Sequence, residues 1–332
     1  MQRRQFPIAP LSAIAGAIIA IGCSNAGTGL DQSITTTGAI VVAVYLDRDG
    51  SRTFTPGIDT LFPNASVGLI LKNGTDTVKS GRTNSSGQIK FDNLPFGQYT
   101  VVVDPRSIGD SLQVQAIDSA NIQVAANTAA DSVAVRIGYP EVSIRQVRGM
   151  AAGRRVFIRG IILAGVQSFR DTTSHVADSS SQLRLTRVSL RGGIVGNSPG
   201  DSVSVLGSTS SRSGQPTLDN ALISRIGARP APVPTAISTG QAASASGGTL
   251  DAALVQVTGV NITDTATVAP DFEVKVTDGS GTLTILLDGN INFARGNFRP
   301  NFRTINVRGV LVPNGLGSWS LKPRDVGDVT FN

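Results

Sequence analysis

The residues able to do chemistry are mostly arginines and aspartates. Asp47-Arg48-Asp49-Gly50 puts two carboxylates two positions apart, with Asp59 downstream. That spacing suits either a hard-cation site or a plain turn, since Asp and Gly form turns readily. Phe293-Ala294-Arg295-Gly296-Asn297-Phe298-Arg299-Pro300-Asn301-Phe302-Arg303 interleaves aromatics with cations. Single-strand nucleic-acid binders combine these types, stacking bases on Phe298 and Phe302 and holding phosphates with Arg295, Arg299 and Arg303. The competing expectation is that the phenylalanines plug a barrel end while the arginines meet solvent. The net charge is +6, and most of the excess lies between Glu141 and Arg229. There Arg154, Arg159, Arg184 and Arg187 could share a face that attracts polysaccharide, another anionic polymer or nucleic acid. A solvated β-surface is the plainer reading.

Other chemistries are excluded or unsupported. With one cysteine (Cys23) and one histidine (His175), the chain cannot close an internal disulfide or build a Cys/His zinc site. His175 lies between Ser174 and Asp178, but adjacency in sequence does not make a triad, and an exposed loop histidine is expected. No nucleophile elbow, P-loop or dinucleotide fingerprint is present. The sequence therefore reads as non-catalytic, with no cofactor unless calcium binds Asp47 and Asp49.

The elements that must carry these residues are strands. Charged residues are only 16% of the chain and hydrophobic ones 40%, and two-residue alternation recurs where helical periodicity is missing. The chain reads as all-β. Strands are expected at Ile40 to Leu46, Ala65 to Leu71, Gln88 to Phe91, Tyr99 to Val103, Asn121 to Ala125 and Ser132 to Ile137. In the second half, two segments repeat a strand that passes through a glycine, Gly160 in one and Gly259 in the other, as a curved barrel strand requires. Arg229 to Gly248, rich in Pro, Ala, Ser and Gly, reads as a linker, and Ser168 to Ser181 as a polar loop. The expected organisation is 1–22 signal peptide, 23–37 tether, 38–138 sandwich, 140–228 first barrel, 229–249 linker and 250–332 second barrel.

Several resemblances sharpen this. Arg3 and Arg4, the apolar run Leu11 to Ile21 and then Ala20-Ile21-Gly22-Cys23 resemble a bacterial lipoprotein signal and lipobox. That implies an exported chain, acylated on Cys23 and held to the membrane through its lipid. Ser24 in place of Asp implies the outer membrane or cell surface. Arg3-Arg4-Gln5-Phe6 also resembles a twin-arginine core, so both export routes stay open. Thr83 to Val101, with Gly87, Phe91, Leu94, Gly97 and Tyr99, resembles the serine-aspartate repeat B-like and carboxypeptidase-regulatory-like modules. It implies a prealbumin-like or Ig-like sandwich that acts as a stalk or binding module. Some relatives bind calcium through acidic loops; an EF-hand-like loop would want Gly at its sixth position and Glu at its twelfth, where this chain has Arg52 and Ile58. Others carry a Lys–Asn isopeptide, but the first strand has no lysine. Asp278-Gly279-Ser280-Gly281 and Trp319 to Arg324 resemble tandem OB-fold-like modules of secreted proteins, some of them beside nucleases. The implied function is a non-catalytic, lipid-anchored envelope stalk or binding module. The alternative is an accessory lipoprotein that binds nucleic acid or polysaccharide for an extracellular nuclease or hydrolase.

Overall fold

The computed structural model describes residues 37–118, 121–125, 130–191, 198–315 and 317–332. The leader, the tether and Cys23 lie outside them. The sandwich holds nine strands in chain order: β1 (Gly38–Leu46), β2 (Thr60–Leu61), β3 (Ser66–Leu71), β4 (Thr77–Arg82), β5 (Gln88–Leu94), β6 (Gly97–Val103), β7 (Gln113–Ile117), β8 (Ile122–Val124) and β9 (Asp131–Gly138). One sheet runs β2-β1-β9-β7 with β5 on β1; the other runs β4-β3-β6-β8. β1 and β9 pair in parallel. Alternation along β1 turns Ile40, Val42 and Val44 inward to full burial, in one core with Val135 of the neighbouring β9 and with Val67, Leu69 and Tyr99 of the facing sheet. Tyr99 is completely buried, yet its hydroxyl donates to the Pro95 carbonyl at 2.8 Å, which satisfies its polar tip. A short helix, α1 (Pro105–Ile108), capped by Asp104, joins β6 to β7.

The first barrel begins with α2 (Ile144–Gly149), followed by β10 (Arg155–Ala164), β11 (Ser174–Ala177), β12 (Gln182–Leu185), β13 (Ser189–Leu190), β14 (Asp201–Arg212) and β15 (Gln215–Ala228). β10 pairs with β11, β11 with β12, β12 in parallel with β15, β15 with β14, and β14 with β10 again. The circuit closes five strands with the third parallel to the fifth, which is an OB-type barrel. Closure removes the free edges that five short strands would otherwise expose.

The second barrel repeats this plan. It comprises β16 (Thr235–Ala236), α3 (Thr239–Ala243), β17 (Leu254–Val268), β18 (Asp271–Thr277), β19 (Thr282–Leu287), β20 (Thr304–Pro313), β21 (Trp319–Lys322) and β22 (Val329–Phe331). The circuit is β17-β18-β19-β21-β20-β17, again with one parallel pair, β19 and β21. The expected glycine bend is present in β17: Gly259 has φ +63°, and the register shifts between Val257 and Val260. A side chain there would be strained, and the bulge lets Val257, Val260 and Ile262 all face the core.

Two expectations need correction. The stretch 229–249 is not a simple linker, because α3 lies in it, and Ala242 and Ala245 are fully buried in the second barrel's core. Ser168 to Ser181 is not all loop, because it contains β11. Among the described residues no helix is long and apolar enough to cross a membrane.

Candidate functional site

Each barrel is plugged by its own preceding helix. Ser143 and Gln146 form a capping box on α2, and Ser238 and Gln241 form one on α3. An aspartate turn on the barrel holds each helix start. Asp178 accepts from the Ile144 backbone N–H at 2.8 Å, and Asp278 accepts from that of Thr239 at 3.0 Å. Bonds from the Ser280 and Thr239 side chains lower the Asp278 carboxyl strongly. The repeated Ser-x-x-Gln was the sequence signal for these plugs.

Asp178 is therefore committed to helix capping, and the Ser174 hydroxyl donates to the Ala164 carbonyl at 2.8 Å. His175 is not an exposed loop residue but fully buried on β11, edge-on to Phe169 at 5.9 Å, and neither ring nitrogen has a partner. Burial, then the nearby Arg184 cation, holds its pKa down to about 3. These three side chains do not form a proton relay.

The acidic loop after β1 is tied by its own hydrogen bonds. Asp47, Asp49 and Asp59 are buried, and a ligand oxygen from each lies within 4.8 Å of the others. The loop's own amides orient the carboxylates. Gly50 donates to Asp47 at 2.6 Å, Ser51 to Asp49 at 2.9 Å, and Arg48 and Thr55 to Asp59 at 2.8 Å each. Arg52, at the sixth position, has φ +69°, the left-handed conformation that position requires. Asp59, one residue past the expected Glu, completes the set. Burial raises the Asp59 carboxyl, reinforced by its acidic neighbours. Burial also acts against the Asp49 charge, but bonds from Ser51 outweigh it and hold that carboxyl low. Arg136 pairs with Asp47 at 3.1 Å and offsets part of the charge. Asp47, Asp49 and Asp59 could each offer an oxygen to a hard divalent cation.

The same loop is the joint to the first barrel. Arg159 donates to the Gly50 carbonyl and to Glu141, and Arg191 donates to the Arg48 carbonyl at 3.0 Å. Arg52 pairs with Glu141 at 2.8 Å. Gly50, with φ +66°, packs against Phe157 and Ser204 with no room for a side chain. The two barrels meet over a second apolar cluster of Leu163, Ala164, Phe169, Leu254 and Val310. Polar contacts ring it. Lys322 pairs with Asp288 at 2.8 Å and lies 4.3 Å over the Phe169 ring, Arg324 donates to the Leu163 carbonyl at 3.0 Å, and Arg148 pairs with Asp251 at 3.5 Å. The sandwich and both barrels belong to one compact body.

The first-barrel arginines therefore do not share a face. Arg159 is taken up in the sandwich joint. Arg184 is buried on the side facing the second barrel and donates to the Arg212 carbonyl. Arg187 pairs with Asp219 at 2.6 Å, and Arg154 is exposed. In the second barrel, Phe298 is buried with Phe272, Phe293 and Phe331, whereas Phe302 is 63% exposed. Arg295 stacks on Phe272 at 5.6 Å, and Arg303 lies between Phe302 at 5.2 Å and Phe331 at 4.7 Å. Arg299 donates to the Gly296 carbonyl at 3.0 Å. Among the described residues, none of these three guanidiniums pairs with a carboxylate.

No family model and no curated protein matches the chain. Among solved structures, the GBS52 minor pilin of Streptococcus agalactiae is similar at 16% identity over 31% of this chain and 45% of that one, TM-score 0.24. A murine DNA-binding protein bound to double-stranded DNA is similar at 11% identity, covering 55% of this chain and 98% of that one, TM-score 0.28. The shaft pilin SpaA of Lactobacillus rhamnosus GG is similar at 11% identity, covering 59% of this chain and 100% of that one, TM-score 0.21. The chain spans less than half the length of the minor pilin. Likenesses this distant assign no function.

Proposed function

We propose that this chain is a non-catalytic, lipid-anchored protein of the outer membrane or cell surface, a stiff spacer that presents a binding end. Cys23 holds it to the membrane. The sandwich and the two barrels act as one body, and the Arg295, Arg299 and Arg303 end of the second barrel engages an acidic polysaccharide. The supporting observation is the pair of joints: arginines grip backbone carbonyls across the first, and an apolar cluster ringed by ion pairs fills the second. Such joints resist bending, as a spacer must. Three guanidiniums free of carboxylates among the described residues, two of them (Arg295 and Arg303) backed by rings, and the exposed Phe302 suit a polyanion. Calcium at Asp47, Asp49 and Asp59 would brace the loop on which the first joint is built.

The test is co-sedimentation of the full chain with an acidic polysaccharide, a neutral polysaccharide and single-stranded DNA across a salt series. Binding to the acidic polysaccharide that weakens with salt supports the reading. Preference for DNA favours the nucleic-acid accessory role instead, and turnover of any of the three refutes a non-catalytic protein.

A further inference from the structure

A second site lies between the barrels, independent of the polymer-binding end. Arg184 on β12 is 7% exposed, and its Nε has no hydrogen-bond partner among the described residues. One Nη donates to the Arg212 carbonyl at 3.1 Å. No carboxylate among the described residues lies within the 4.0 Å ion-pairing distance of its guanidinium. The neighbouring carboxylates are committed elsewhere. Asp171 holds Thr173 and Lys322, Asp288 holds Lys322 and the Arg170 amide, and Asp251 holds Trp319 and Arg148. Arg212, exposed at the end of β14 and without an ion pair among the described residues, lines the same cleft of about 270 Å³. Ser213, Lys322 and the carboxylate of Asp171 also line it.

A buried guanidinium beside a second cation, with no carboxylate in ion-pairing contact, gains from an anion that completes the arrangement. With Nε buried and one Nη on the Arg212 carbonyl, Arg184 offers the cleft its remaining Nη and its charge, which suit an oxyanion. Lys322 is paired with Asp288, and Asp171 offsets part of the charge of Arg184 and Arg212, which still leaves the cleft net positive. The cleft admits a group about the size of one sugar, too small for a polymer to thread. We propose that this cleft binds a small oxyanion, a carboxylate or a phosphate group, held between Arg184 and Arg212.

Calorimetric titration of the full chain with inorganic phosphate, glucuronate and neutral glucose tests this. Saturable 1:1 binding of phosphate or glucuronate, and none of glucose, is expected; the tighter of the two identifies the source as phosphate or sugar acid. Arg212→Gln, at the exposed rim, should weaken binding by about tenfold or more. Arg184→Met should abolish it. Arg295→Ala, in the other patch, should leave it unchanged, which separates this site from the polymer-binding end. Absence of binding tighter than about 10 mM for either anion, or wild-type affinity in Arg212→Gln, overturns the proposal.

Discussion

Lowering the pH should destabilise the joint between the barrels through one residue, His175. The imidazole is fully buried, bonded to nothing, and faced by Arg184, Asp171 and Lys322. Desolvation, then Arg184, holds its folded pKa at about 3, against 6.5 for the free side chain. Between those values the unfolded chain carries one more proton than the folded one. The stability is therefore fully present above about pH 6.5 and is lost as pH falls toward 3, at about 1.4 kcal/mol per unit. From about pH 7 to about pH 5 the expected loss is about 2 kcal/mol. Carboxylates with lowered pKa values, such as Asp171 and Asp178, titrate below this window. Asp59, whose pKa is raised, acts in the opposite sense because its folded form favours the proton. Trp319, the only tryptophan, bonds Asp251 at 2.9 Å beside this joint, so its fluorescence reports the transition. Urea unfolding would be followed at stepped pH in the wild type and in His175→Leu. The wild type should lose stability with the stated slope and the variant should not. A flat wild-type profile, or the same slope in the variant, would refute the reasoning.

Other consequences are equally direct. Tyr99→Phe removes the hydrogen bond to the Pro95 carbonyl inside the sandwich and should cost about 1 to 1.5 kcal/mol in chemical denaturation, because the carbonyl loses its donor. Calcium at about 100 times its dissociation constant should stabilise the wild type by about 2.7 kcal/mol, and Asp49→Asn should lose most of that gain in a thermal melt. Replacing Arg295, Arg299 and Arg303 together with alanine should flatten the salt dependence of polyanion binding by about 2 in log–log slope, measured by fluorescence anisotropy. An unchanged slope would show that these arginines do not contact the polymer.

Local pattern made much of the architecture legible. β1, β3, β5, β6 and β9 alternate or carry unbroken branched runs, and Gly259 marks the curved strand of a barrel. β4 was missed because Thr77–Arg82 is an exposed edge strand with polar residues on both faces. The plug helix α3 was hidden in a composition that mimics a linker, though its capping box was readable. In the Phe-Arg segment Phe293 and Phe298 plug the barrel end, as barrel-plugging phenylalanines would, while Phe302 stands in solvent. Burial of His175 and Arg184 could not be read locally, because the surfaces covering them come from β19 to β21 of a barrel far along the chain. Likewise, Arg159 reads as a surface cation until the Gly50 carbonyl is set against it. Asp59 joins the acidic pair only because the loop folds back from a position one residue beyond the usual spacing.

The claim on which the account rests is that two packed joints make three β-units one stiff body. Pulsed dipolar EPR between spin labels at the exposed positions Thr75 and Val326, in a Cys23→Ser chain, measures that directly. A single narrow distance distribution, broadened when Arg159→Ala and Lys322→Ala loosen the joints, is the expected result. A broad distribution in the unaltered joints would contradict it.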